Sequence, residues 1–243
     1  NMMKKIIQTF LPIFILSSQV FAIAGFGAYG DFDLLKYPAG HSGNITEGDI
    51  TANGVKYNGF DNAKGFGFLF YIDAIPVVDL EADIEFVGNL YEYTPYLLGS
   101  AQTSQELPWG RVSTYVTIRK EILGLSIPLL AKAQLYGGLG FNKHKVIPIM
   151  TEEVIKEAFD ADDLETALDS FGEDADPDQA ATDLAKSMLD NVEDVSGFHL
   201  QAGVRGKLLM FNAFANARYT IAKDVIPDKS GYPSIWVGLA LGI

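Results

Sequence analysis

From residue 79 the chain alternates apolar and charged positions. Leu80, Ala82, Ile84, Phe86, Gly88 and Leu90 fall on one side, and Asp79, Glu81, Asp83, Glu85, Val87 and Asn89 on the other. A helix would scatter those carboxylates around its circumference, whereas a strand gathers them on one face. The same period-two pattern recurs along the chain. Phe26, Ala28, Phe32 and Leu34 oppose Asp31 and Asp33; Phe66, Phe68, Phe70 and Ile72 alternate with Gly65, Gly67, Leu69, Tyr71 and Asp73. Val112, Thr114, Val116 and Ile118 alternate with Arg111, Ser113, Tyr115, Thr117 and Arg119; Leu129, Ala131, Ala133, Leu135, Gly137 and Leu139 with Lys132, Gln134 and Tyr136. Leu200, Ala202 and Val204 face away from Gln201, Arg205 and Lys207, and Phe211, Ala213, Ala215, Ala217, Tyr219 and Ile221 from Asn212, Asn216 and Arg218. Ile235, Val237, Leu239, Leu241 and Ile243 close the series. The pattern predicts eight strands, each of about the 9–11 residues that a tilted barrel strand needs to cross a bilayer.

The connections predict how the strands are arranged. Those after the second, fourth and sixth strands are short, near Ile75-Pro76, Leu123 to Pro128 and Leu208 to Met210. Those after the first, third, fifth and seventh are longer, at 38–64, 94–109, 143–197 and 223–232. Strict alternation of tight turns and long loops belongs to a transmembrane barrel, with the turns on the periplasmic side. The expected fold is therefore all-β: an eight-stranded antiparallel up-and-down transmembrane β-barrel with two short helices in a long external loop. An eight-stranded barrel leaves a bore only wide enough for side chains. Its inward set, Asp79, Glu81, Asp83 and Glu85 with Arg111, Arg119, Lys132, Arg205, Lys207 and Arg218, should pair or hold water, because unpaired buried charge is costly.

Two segments depart from the strand pattern. Lys4 and Lys5 precede an uncharged apolar run over 6–16, then small residues at Val20 and Ala22 or Ala22 and Ala24. That order predicts a signal peptide at 1–22 and a barrel domain at 23–243, in a bacterial cell envelope. The second departure is acidic. Residues 151–194 hold sixteen Asp and Glu against Lys156 and Lys186, a balance of −14 in a chain of net −13, so the remainder is +1. Thr151 followed by Glu152 and Glu153 reads as a helix N-cap with acids in the first turn. Val154, Ala158, Ala161, Leu164 and Leu168 are at helical spacing. Gly172 and Asp176-Pro177 interrupt, and a second amphipathic piece holds Ala181, Leu184, Ala185, Met188 and Leu189. This insertion in the third external loop either caps the barrel mouth or reaches for a cationic partner or a divalent cation. Cysteine is absent, which removes disulfides and thiolate metal sites.

Three motifs bear on chemistry. Gly25-Phe26-Gly27-Ala28-Tyr29-Gly30 spells a dinucleotide fingerprint but lacks the strand before it and the helix after it. Asp174, Asp176 and Asp178 resemble the start of a calcium loop, yet Gln179 and Ala185 replace its glycine and bidentate glutamate. His41, His144 and His199 map to loops or strand ends on the external side, where a catalytic rim would place a general base. No nucleophile-base-carboxylate spacing accompanies them.

The last six residues, Gly238-Leu239-Ala240-Leu241-Gly242-Ile243, carry a glycine and apolar residues at the spacing of the C-terminal signal of outer-membrane proteins. With the strand pattern, the chain resembles the small outer-membrane barrels of the OmpX and OmpA type. Ile243 stands where that family usually has Phe, and Trp236 where it tends to have a polar residue. The resemblance implies recognition of the last strand by the barrel assembly machinery, outer-membrane lipid as surroundings, a monomer, and no nucleic-acid partner. Three function classes follow: a non-enzymatic structural or surface-interaction barrel with a plugged lumen, a rim enzyme acting on lipid or peptide, and a secreted ligand-binding barrel of lipocalin type. The first is expected, with no catalytic, cofactor-binding or metal residues assigned.

Overall fold

The computed structural model describes residues 24–43, 54–73, 78–97, 100–127, 130–169 and 177–242. The expected signal peptide, the Ile75-Pro76 turn and Ile243 lie outside the described residues. The strands are β1 (Ala24–Tyr37), β2 (Gly40–Gly43), β3 (Gly54–Tyr57), β4 (Phe60–Ile72), β5 (Asp79–Leu97), β6 (Ser100–Ala101), β7 (Gln105–Ile127), β8 (Ala131–Val146), β9 (Glu193–Leu208), β10 (Phe211–Ile221) and β11 (Gly231–Gly242). Eight of them close a ring, β1-β4-β5-β7-β8-β9-β10-β11, in which every neighbouring pair is antiparallel and β11 returns to β1. The β2–β3 hairpin extends the outer half of β5, and β6 pairs with the end of β5.

The register sets the barrel's shape. From Phe32, one path of cross-strand partners runs through Ile235, Ala217, Ala202 and Gly137 to Lys120. The opposite path runs through Lys64 and Gly88 to Gly110. The two arrive on β7 ten residues apart, 120 against 110. A stagger of that size tilts the strands and fixes the bore of an eight-stranded barrel.

Alternation places side chains as the sequence predicts. Phe26, Phe68, Val116, Ile118, Leu139, Phe198, Leu200, Val204, Ile235 and Leu239 are exposed on the outer wall, Leu239 to 70%. Asp31, Asp33, Glu81, Asp83, Glu85, Arg111, Arg119, Arg205 and Arg218 are buried within. Glycines on the inner face make room for large neighbours. A Cβ at Gly67 would collide with the ring of Tyr29, and one at Gly203 with the amide of Asn216.

All the ring strands but β10 are longer than expected, and the set runs from 11 residues in β10 to 23 in β7. Pairing continues past the apolar belt, so the long connections are correspondingly shorter than the alternation alone suggested. The expected link at Leu123 to Pro128 is mostly strand, because a β-bulge between Glu121 and Leu123 shifts the register. It carries apolar phase from Val116 and Ile118 to Leu123, Leu125 and Ile127, which pair with Leu135, Ala133 and Ala131.

The acidic insertion forms α1 (Glu152–Ala158), α2 (Leu164–Asp169) and α3 (Pro177–Asp190), the first expected helical piece being divided at 159–163. Thr151 caps α1 by accepting from the Val154 N–H at 3.4 Å, and Asp163 accepts from Thr166 N–H at 2.8 Å at the start of α2. Val154, Ile155, Leu164, Ala167, Leu184 and Met188 pack into one apolar cluster with Tyr37, Phe60, Trp109, Val225 and Tyr232 of the barrel's external end. The insertion therefore caps the mouth. Backbone ties reinforce the seat: Met150 N–H donates to Tyr91 at 2.9 Å, and Glu152 N–H to Ser42 at 3.0 Å.

Candidate functional site

Below that apolar cap, inward positions of the strands supply two layers of ion pairs. In the layer nearer the periplasmic turns, Arg119 donates to Glu81 at 2.9 Å and to Asp73 at 2.8 Å. Arg205 lies 3.2 Å from Asp73 and 3.6 Å from Glu81. Two guanidiniums and two carboxylates balance there. The Arg205 guanidinium sits 4.2 Å from the centre of the Tyr71 ring, and that of Arg119 lies 4.9 Å from Tyr136, positions that favour cation–π attraction.

The central layer spans the bore. Arg111 on β7 donates to Asp33 on β1 at 2.6 Å and to Glu85 on β5 at 2.8 Å. Arg218 on β10 reaches Asp83 at 2.9 Å and Glu85 at 3.3 Å. It also stacks on Tyr115, 3.7 Å from the ring centre. Tyr29 donates to Asp83 at 2.9 Å. Asp31 lies beside this group with neither carboxylate oxygen hydrogen-bonded. The central layer thus holds four carboxylates, Asp31, Asp33, Asp83 and Glu85, against two guanidiniums, Arg111 and Arg218, a formal balance of −2. Charge-assisted bonds are stronger in a low-dielectric interior, and groups left without a partner there are correspondingly costly.

The histidines correct the sequence reading. His41 is exposed on the β2 strand, but His144 and His199 are buried inside the barrel at 0% and 1% exposure. Both lie on long strands whose inward parity continues beyond the expected strand ends. Arg111 can only donate, so its 3.1 Å contact makes His144 Nδ1 an acceptor. Ser113 also lies 2.8 Å from Nδ1, and Nε2 is 2.9 Å from Asn142 Oδ1. His199 Nε2 is 2.8 Å from Thr117. Ser113, His144 and Asn142 are thus linked as a nucleophile, base and orienting group would be, but all three are buried and serve the Arg111 network. The glycine fingerprint lies wholly within β1, where Tyr29 and Asp31 face inward. Asp174 and Asp176 lie outside the described residues.

Inward parity was legible in the sequence for every charged residue of the lumen. The cross-bore partners were not. Asp33 and Arg111 stand 78 positions apart, and only ring closure with its stagger brings them together.

A closed antiparallel ring, an apolar outer wall and a charged, paired interior define a transmembrane β-barrel of the small outer-membrane type. No protein-family model and no curated protein matches the sequence. Among solved structures the chain is similar to the outer membrane protein OprG from Pseudomonas aeruginosa, with 10% identity, TM-score 0.43, and coverage of 93% of this chain and 98% of that one. It is also similar to Ail of Yersinia pestis, at 9% identity and TM-score 0.36 over 90% and 97%. Neisserial surface protein A gives 11% identity and TM-score 0.37 over 90% and 99%. The class rests on this chain's own ring closure and outer wall.

Proposed function

We propose that the protein is a non-enzymatic barrel of the bacterial outer membrane, with a lumen closed to ions and an acidic helical cap displayed outside for a structural or surface-interaction role. One observation carries this reading. Arg111 and Arg218 reach from β7 and β10 to carboxylates on β1 and β5, so ion-paired side chains cross the bore. Opening such a bore would strand buried charges, each of which costs several kcal/mol when unpaired. The cap's outer face carries the exposed Glu157, Asp160, Asp162, Asp163 and Asp190, a surface suited to a cationic partner and weakened by salt. The last strand, β11, offers the C-terminal pattern through which the assembly machinery would engage the chain as a monomer.

Planar-bilayer recording of the purified protein tests the closed lumen. The expected trace shows no stable unitary steps in symmetrical salt. Reproducible open-channel steps that survive repurification would defeat the reading.

A further inference from the structure

We propose that Asp31, Asp33 and Glu85 form a buried site for a calcium-sized divalent cation in the middle of the barrel. One carboxylate oxygen from each residue lies within 4.8 Å of the other two. Oxygens that close can share one calcium ion, since two Ca–O bonds of roughly 2.4 Å reach across such a gap, and a buried all-protein set suits calcium better than magnesium, which usually keeps several waters. The donors are all hard oxygens, the set that calcium prefers.

A cluster of acids alone would say little, but two further observations point to a ligand. Asp31 is 5% exposed, projects into this cluster, and has no hydrogen-bond partner on either oxygen; Oδ1 of the fully buried Asp33 has none either. The second observation is the charge balance. The neighbouring layer of Arg119, Arg205, Glu81 and Asp73 is neutral, whereas the central layer is −2, the deficit that one divalent ion cancels.

Arg111 and Arg218 already hold part of the site, and their places are compatible with an ion. Arg111 binds Asp33 through Oδ2, leaving Oδ1 free, and binds Oε1 of Glu85, which Tyr115 also contacts at 3.3 Å. Arg218 takes the other Glu85 oxygen and both oxygens of Asp83. The site would therefore draw mainly on Asp31 and Asp33, with Glu85 sharing an oxygen. Uptake would occur as the ring closes, since each ligand is buried afterwards.

The experiment refolds the full-length barrel from urea into detergent with calcium, with magnesium, or with a chelator, and follows thermal unfolding. Terbium luminescence reports occupancy directly. Trp236, the cross-strand neighbour of Asp31, should sensitise it more than Trp109, which packs in the apolar cap. The expected result is a saturable rise in midpoint of several degrees with calcium, a smaller one with magnesium, and terbium emission displaced by calcium. Asp31→Asn should abolish both responses while folding as well as the wild type does in chelator. Trp236→Phe should dim the terbium signal several-fold more than Trp109→Phe. Three outcomes would overturn the site: a wild type indifferent to calcium, an unchanged ion response in Asp31→Asn, or an Asp31→Asn barrel more stable than wild type in calcium and chelator alike. The last would mean that protons cancel the excess charge.

Discussion

Arg218 touches Asp83, Glu85 and Gln201 and lies over the Tyr115 and Trp236 rings, so one side chain from β10 bears on β5, β7, β9 and β11. Its removal leaves the four carboxylates of the central layer with Arg111 alone. Truncating one partner of a buried pair costs about 3–5 kcal/mol, because the remaining charge stays desolvated. Arg218→Met, which keeps an unbranched apolar stem but removes the guanidinium, should lower stability by about that much in detergent unfolding. Lys143→Met serves as the contrast. Lys143 lies 3.4 Å from Asp194, both are more than half exposed, and such a pair contributes about 0–1 kcal/mol. Equal losses in the two variants would contradict the cross-bore network. The sequence placed Arg218 on an inward face, but it could not say that four strands converge on it.

At the scale of elements, the acidic insertion is where the pattern and the fold met. Helical spacing of Val154, Leu164, Leu184 and Met188 was visible in the chain, and so was the −14 balance of 151–194. Whether the apolar stripe projected outward or lay on the barrel depended on what faced it. The external end of the ring supplies Tyr37, Phe60, Trp109 and Tyr232, an apolar surface that water would otherwise meet. Leu184→Ala should cost about 2–5 kcal/mol, the range for a buried leucine that leaves a cavity. Leu189→Ala, at a position 62% exposed, should fall within about 0.5 kcal/mol. Thermal midpoints of the two variants in one detergent separate them, and a silent Leu184→Ala would return the insertion to the status of a free loop. The bulge at Glu121 to Leu123 had a trace in the sequence too. Apolar residues switch from even to odd positions between Ile118 and Leu123, a change of phase that read as a strand ending.

For the whole molecule, the outer wall sets the position in the bilayer. Ile84 pairs with Phe68 and Thr114 in the belt, while Leu90, six residues further along β5, pairs with Pro108 near the external end. An arginine facing lipid costs about 2–4 kcal/mol at the midplane and about 0–1 near an interface. Ile84→Arg should therefore impair folding into lipid vesicles strongly, and Leu90→Arg only slightly. Loss of the heat-modifiable gel shift is the readout. A Leu90→Arg penalty matching that of Ile84→Arg would move the belt outward along β5.

The strand count, the inward and outward faces, the alternation of short and long connections and the isolated acidity were determined by the sequence alone. Each depends on neighbours a few residues apart, and a period of two fixes a face without knowledge of any partner strand. The tertiary structure decided what depends on closure. The closed ring, with its ten-residue stagger, joined Asp33 to Arg111 and Arg218 to Asp83 across the bore and left Asp31 without a partner, while the full extent of β8 and β9 carried the inward parity to His144 and His199. It also turned the stripe of the insertion onto the mouth. Those contacts lie between residues tens to more than a hundred positions apart, and a barrel's stagger is a property of the closed ring, which no local run of residues contains.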